Sequence, residues 1–165
     1  MTRITTKRLE LRKLCCDDLA ALVRQINDWE VARWLSRVPY PYTMADAETW
    51  LSHVELQELT LTIFRNDHLV GGVGLSEGDD GYHELGFWLG RDYWQQGFAT
   101  EAAAALLDHA RTELGLNKIK ASYITGNEAS ANVLRKLGFE RTGNIEMHCQ
   151  SRAEPVTCVS MVFCA

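Results

Sequence analysis

The sequence predicts a single α/β (α+β) domain over residues 1–165, built as a mixed, mostly antiparallel sheet with helices on both faces. Three observations carry that expectation. The chain has 165 residues, close to the common size of one domain. Hydrophobic residues make up 46% and charged residues 24%, enough apolar material for a core without staples. The apolar period switches between two and 3.6, giving a strand–helix–strand–helix order and then a terminal hairpin.

Each element has its own signal. Arg8–Lys13 sets Leu9 and Leu11 against Arg8, Glu10 and Arg12 and reads as the first strand. Asp17-Asp18 are placed to cap a helix carrying Leu19, Leu22, Val23 and Ile26. The aromatic, proline-bearing segment WEVARWLSRVPYPYT belongs to no long element. Thr43 or Asp46 then starts a helix with Ala47, Trp50, Leu51, Val54 and Leu56 inward. From residue 59 the period is two, and Leu59–Phe64 and Leu69–Leu75 flank a turn at Arg65-Asn66-Asp67-His68. In the second of these strands Leu69, Val73 and Leu75 share one face, and Val70, Gly72 and Gly74 the other. Missing side chains inside a strand signal a bulge or a close approach.

Tyr82–Gly90 is the next strand, with Leu85, Phe87 and Leu89 on one face and Glu84, Gly86 and Trp88 on the other. After Gly97, Ala99, Ala102, Ala103, Leu106, Leu107, Ala110 and Leu114 follow at helical spacing, and Gly115 is a natural stop. Lys118–Tyr123 is a strand, Asn127–Leu137 a short helix ended by Gly138, and Glu140–Gln150 and Val156–Phe163 the closing hairpin.

Composition excludes several function classes. The formal charge is −5 and basic residues are not clustered, so nothing supports a nucleic-acid surface, which needs concentrated positive charge. Cysteines at 15, 16, 149, 158 and 164 are odd in number and lack CxxC spacing. Neither a disulfide framework nor a metal site is favoured; reduced thiols are expected, with Cys149 and Cys158 placed to face one another in the last hairpin. The N-terminal MTRITTKRLELRKL has no apolar leader core, and no stretch approaches the ~18 apolar residues of a membrane span. A cytoplasmic protein without membrane contact is expected.

The stretch DYWQQGFATEA, Asp92 to Ala102, opens the cleanest helical pattern in the chain. A helix start presents unpaired backbone N–H groups and the positive end of the dipole. If Gln95, Gln96, Gly97, Phe98, Ala99 and Thr100 line that turn, their amides converge and can hold a pyrophosphate without any lysine. The alternative is that Gly97 only relieves a tight turn. Two rival phosphate motifs fail: GxxxxGK[ST] is absent, and Gly72-Val73-Gly74 lacks the third glycine, with Glu77 in its place, and opens no helix.

Four stretches together resemble the GNAT superfamily of acyl-CoA-dependent N-acyltransferases, and within it the Rim-type branch that acetylates ribosomal-protein N-termini. They are RLELRKL, NDWEVARWL with PYPYT, HELGFWLGRDYWQQGFATEA, and NEASANVLRKLGFERTG, so the similarity runs nearly end to end. Trp94 stands where the superfamily often has Gln or Arg, as is common in the Rim-type branch. The resemblance implies a GNAT-like sheet of six to seven strands, splayed at the centre, with about four helices. It implies acetyl-CoA as donor, with the pyrophosphate on the amides of Gln96 to Thr100. The pantetheine arm would enter where the strand ending at Leu89 parts from Lys118–Tyr123, bonding to backbone near Phe87, Trp88 and Leu89. Asn127 and Asn132 match positions that contact the cofactor, and Asn127 serves equally as a helix N-cap.

Amine attack on a thioester needs a neutral amine, an oxyanion donor and a tolerable leaving group. Neutralising an α-amine of pKa roughly 8 at pH 7 costs about 1.4 kcal/mol, and a lysine near 10.4 about 4.6. An α-amine therefore needs little help from a base. Glu84 matches the glutamate of the Rim-type enzymes and shares a face with Gly86; the alternative is a surface carboxylate. The oxyanion donor is expected at the Phe87 or Trp88 N–H. A leaving thiolate near 8.5 demands no strong acid. The superfamily's common tyrosine is replaced by Leu134, and Ser130 matches the serine of the Rim-type branch; a first-turn serine is equally a capping residue. Trp34, Tyr40 and Tyr42, stiffened by Pro39 and Pro41, are the expected wall for the amine acceptor. Three readings stay open: a protein N-terminal acetyltransferase, a small-molecule N-acetyltransferase acting on a polyamine, aminoglycoside or other amine, and a non-catalytic acyl-CoA-binding module. A homodimer is the commonest assembly for any such chain.

Overall fold

The alternating segments join one mixed sheet in a computed structural model that describes residues 1–164. Its strands are β1 (Ile4–Thr5), β2 (Glu10–Arg12), β3 (Thr60–Arg65), β4 (His68–Glu77), β5 (His83–Leu89), β6 (Ile119–Ile124), β7 (Phe139–Cys149) and β8 (Glu154–Phe163). They lie in the order β1-β2-β3-β4-β5-β6-β8-β7. All neighbours are antiparallel except β5 and β6, which run parallel. The helices are α1 (Leu19–Ile26), α2 (Trp29–Ala32), α3 (Met44–Val54), α4 (Phe98–Leu114) and α5 (Glu128–Lys136). Eight strands and five helices exceed the expected six to seven and four. The surplus comes from β1 and α2, two and four residues long, too short to leave a periodic trace.

The sheet separates two cores. On one face Ala102, Ala103, Leu106, Leu107 and Ala110 of α4 pack on Leu61, Ile63, Val73, Leu75, Leu85 and Ile119. On the other, Leu19, Leu22 and Ile26 of α1 and Ala47 and Val54 of α3 pack on Phe64 and Leu69. Leu69 thus lies opposite Val73 and Leu75, contrary to the simple alternation. The register shows why: Ile63 pairs with Gly71 and Phe64 with Leu69, leaving Val70 as the extra residue of a β-bulge. The hairpin itself closes through Asn66 and Asp67, both left-handed (φ 49° and 63°), the geometry of a two-residue turn that matches strand twist.

Capping decides where the helices begin. Thr43 Oγ1 accepts the Asp46 N–H at 3.3 Å and Asp46 Oδ2 accepts the Thr43 N–H at 2.8 Å, a reciprocal capping box. Asp17 and Asp18 do not cap α1 with their side chains; they lie in a 3-10 turn, and Asp18 accepts from the Cys15 N–H and from Arg12. Trp50 and Leu114, expected inward, are exposed, because α3 and α4 bury narrower stripes than their apolar spacing allows. Leu56, also expected inward, is exposed because α3 ends at Val54 before reaching it. The five cysteines are free thiols. Cys149 and Cys158 are both buried, but across the hairpin Cys149 meets Glu154 and Cys158 meets Ile145.

Candidate active site

The site begins where β5 and β6 stop pairing. Their register covers only His83↔Ile119, Glu84↔Lys120 and Leu85↔Ala121. Beyond it β5 stays on β4 through Leu89, and β6 stays on β8 through Ile124. Each strand is held by its outer neighbour, so the two part and leave a wedge. Extended backbone turns the N–H and C=O of alternate residues to opposite sides. The His83 N–H reaches the Lys118 carbonyl beside β6, and the Gly90 N–H reaches the Val70 carbonyl of β4, each at 2.8 Å. By that alternation Phe87 and Leu89 turn their backbone groups into the wedge, and Trp88 turns its own to β4. Trp88 therefore offers the wedge neither amide nor carbonyl. Its indole lies on the other side, over Gly72, where a Cβ would stand 2.6 Å from Nε1. The missing side chain at Gly72 is explained by that close approach. At the mouth of the wedge the Trp94 Nε1–H donates to the Leu89 carbonyl at 2.9 Å.

The turn after β5 leads into α4. Gln95 (φ 61°) and Gly97 (φ 80°) are both left-handed, and Gly97 is the N-cap of α4. The Glu101 N–H is bonded to the Gly97 carbonyl at 3.0 Å. The amides of Gly97, Phe98, Ala99 and Thr100 precede that bond and have no partner of the regular helical kind. Phe98 is 1% exposed, which anchors the helix start against the core with roughly 1.5–3 kcal/mol of burial. The arrangement is a nest of backbone donors at the positive end of a 17-residue helix. No side chain of Gln95 or Gln96 is needed for it; the Gln96 amide side chain donates to the Asp92 carbonyl.

Glu84 lies on the face opposite α4, half-buried, with Oε2 3.5 Å from the Arg37 guanidinium. A groove of about 380 Å³ on that face is lined by Asp80, Tyr82, Glu84, Lys120, Ser122 and Ser160, among others. A Cβ at Gly86 would meet nothing within 4 Å, so the strand is bare between Glu84 and the wedge. Lys120 donates to Asp80 at 2.7 Å, and that carboxylate holds its ammonium above the usual range.

Across the wedge, Asn127 Oδ1 accepts the Ser130 N–H at 3.2 Å and is the N-cap of α5. The cap being Asn127, the half-buried Ser130 hydroxyl is not one. Asn132 lies on the exposed side of α5, with Oδ1 accepting from Arg135. Trp34 packs against the cluster of Ile124, Cys149, Val156 and Cys158 beside Gly126, flanked by the guanidinium groups of Arg33 and Arg152. Tyr40 is 40% exposed and lies against Trp29. Tyr42 is different: 6% exposed, it belongs to the α1/α3 core and walls no cleft. Sequence reasoning missed Arg37 and Lys120 as neighbours of Glu84, because both reach it only through tertiary packing. Among the described residues there is no cluster of side chains able to hold a metal ion, and no helix long and apolar enough to cross a membrane.

Comparison with known proteins agrees with this architecture. Residues 8–140 match the family described as the acetyltransferase (GNAT) domain. The N-acetyltransferase p20 of Bacillus licheniformis is 28% identical over 152 residues, covering 87% of this chain and 85% of its own. A GNAT-family acetyltransferase from Bacillus anthracis superposes with a TM-score of 0.86 at 22% identity, over 98% of both chains. The alpha-N-protein acetyltransferase RimL, solved with coenzyme A, does so with a TM-score of 0.79 at 18% identity, again over 98% of both. The match over residues 8–140 is decisive, and the chain belongs to the GNAT family of acetyltransferases.

Proposed function

We propose that this acetyltransferase takes its acetyl group from acetyl-CoA and delivers it to the α-amine of a protein or peptide N-terminus. One observation carries the donor assignment: a wedge where β5 has lost its β6 partner ends beside a nest of helix-start amides. A thioester donor with a pantetheine arm and a diphosphate presents the complementary groups. Phe87 and Leu89 would receive the arm, and the amides of Gln96 to Thr100 the diphosphate.

The acceptor assignment rests on chemistry. Glu84 is the carboxylate beside the wedge, 3.5 Å from Arg37, and an α-amine, much closer to neutral at pH 7 than a lysine, asks little of a base. RimL, of similar fold, is named as an alpha-N-protein acetyltransferase. The amine nitrogen attacks the thioester carbonyl carbon and its proton passes to Glu84, directly or through water. The Phe87 N–H, which faces the wedge, is the donor aimed at the oxyanion. The C–S bond then breaks, and the leaving thiolate takes a proton from the Ser130 hydroxyl, which solvent reprotonates as Glu84 returns its own proton to solvent. Asn127 sits across the wedge at the cofactor edge, and Trp34 and Tyr40 border the acceptor end.

A thiol-release assay with acetyl-CoA tests the reading on free-N-terminus peptides and, in parallel, on polyamines and aminoglycosides. Release with peptides, abolished when the peptide N-terminus is already acetylated, is the expected result. Turnover confined to the small amines overturns the acceptor assignment. Coenzyme A uptake with no turnover on either panel points to a binding module.

A further inference from the structure

The turn that opens α4 is held from outside by residues about ninety positions earlier in the chain. Arg8 Nη1 donates to the Gln96 carbonyl at 2.8 Å, and Arg8 Nε donates to Glu101 Oε2 at 2.6 Å. Glu101 Oε1 accepts twice more, from Thr6 Oγ1 at 2.6 Å and from the Arg8 backbone N–H at 2.9 Å. The guanidinium lies over the Phe98 ring, 4.5 Å from its centroid. Burial works to raise the Glu101 carboxyl, but the bonds from Thr6 and Arg8 outweigh it and hold the group below its usual range. Thr6 and Arg8 lie in the link between β1 and β2, so that link and the turn are joined through one carboxylate.

We propose that Arg8 and Glu101 are positioning residues for coenzyme binding. They fix the peptide plane between Gln96 and Gly97 so that its N–H faces the diphosphate. In a trans peptide the C=O and N–H point in opposite directions. A donor gripping the Gln96 oxygen from the Arg8 side therefore aims the Gly97 N–H away from Arg8. The same bond draws electron density toward the oxygen and strengthens that N–H as a donor. Glu101 fixes the position of the guanidinium with a charge-assisted bond, and it sits in the first turn, where a carboxylate complements the helix dipole. A glycine at 97 completes the device: its φ of 80° brings the next amide round to the same side, and a Cβ there would meet Arg8 Nη2 at 3.4 Å.

This inference rests on the coenzyme reading above, and the test separates the two. Steady-state kinetics compare acetyl-CoA with S-acetylpantetheine, which keeps the thioester and the arm but has no diphosphate. The variants are Arg8→Ala and Glu101→Gln; the second keeps the volume and an acceptor oxygen while turning a donor toward Arg8. Both variants should raise KM for acetyl-CoA about tenfold or more, with kcat at saturation changed far less. Their loss with S-acetylpantetheine should be at least about tenfold smaller than with acetyl-CoA. Arg8→Lys should recover only part of the loss, since one ammonium cannot grip Gln96 and Glu101 in the same fork. Equal losses on both donors would mean that the network only supports the fold, and the inference falls. Wild-type protein that does not distinguish the donors overturns the coenzyme reading itself, and the inference with it. Variants that unfold are recognised by thermal melting, and Glu101→Gln, the milder change, then decides.

Discussion

Replacing Gly97 by valine separates binding from folding at a single backbone position. Gly97 holds φ at 80°, where an L-residue costs roughly 1–2 kcal/mol and a β-branched one more. Space is a lesser concern, because the nearest atom to a new Cβ is the Arg8 guanidinium at 3.4 Å, at the end of a flexible side chain. The chain can relieve the strain only by rotating φ toward negative values. That rotation turns the Gly97 and Phe98 amides apart, while Phe98, buried in the core, and Arg8, on the Gln96 carbonyl, keep both flanks in place. Two charge-assisted bonds to a diphosphate at about 1.5–3 kcal/mol each amount to roughly 3–6 kcal/mol, or about a hundredfold or more in affinity. The backbone strain lowers Tm by only about 2–8 °C for a chain of this size. Calorimetric titration with coenzyme A, beside thermal unfolding followed by circular dichroism, measures both. A cooperatively folded Gly97→Val protein that binds coenzyme A within about threefold of wild type would refute the phosphate assignment.

Glu84→Gln should lower kcat/KM and move its pH dependence upward, since the acceptor amine must then lose its proton to solvent; a superimposable pH–rate profile removes Glu84 from the proton path. Ser130→Ala should cost no more than about tenfold, because a thiolate leaves readily at neutral pH. A thousandfold loss in single-turnover rates would show that the acid matters more. Tyr42 gives a stability prediction. Burial, and then the charge of Asp46, push its phenol up to about 12, above the roughly 10 of an unfolded tyrosine. The folded chain keeps a proton that the unfolded chain releases, so stability is intact below about pH 10 and declines as pH rises toward 12. Tyr42→Phe should remove that decline in denaturant melts between pH 9 and pH 12, and an identical decline in the variant would contradict the account.

The separate fates of Tyr42, Trp88 and Gly97 show how far residue patterns reach. Gly97 was readable as the start of a helix, because the apolar helical stripe begins directly after it, and it is the left-handed N-cap of α4. Trp88 was placed on the correct face, but whether its backbone serves the wedge depends on which neighbour takes which amide. That parity follows from the β4–β5 pairing and from His83 reaching toward β6. Tyr42 shares its aromatic, proline-bearing segment with Trp34 and Tyr40, and composition gives no means of telling a core tyrosine from a cleft tyrosine. The α1/α3 core claimed it. Leu69 was misassigned for a related reason, since one unpaired residue at Val70 inverts the alternation and leaves no mark in the hydrophobic pattern.

By itself the sequence determined the local choices: which segments alternate, which spiral, where glycines and caps end them, and that one helix starts with small residues and a glycine. These depend on side-chain period and backbone freedom within a few residues, which a linear string records. Only the tertiary structure decided that β5 and β6 part after Leu85, that Arg37 meets Glu84, and that Arg8 grips a turn near residue 96. Those are outcomes of long-range packing, where a contact forms because two separately stable pieces are brought together, and nothing adjacent in the chain specifies it.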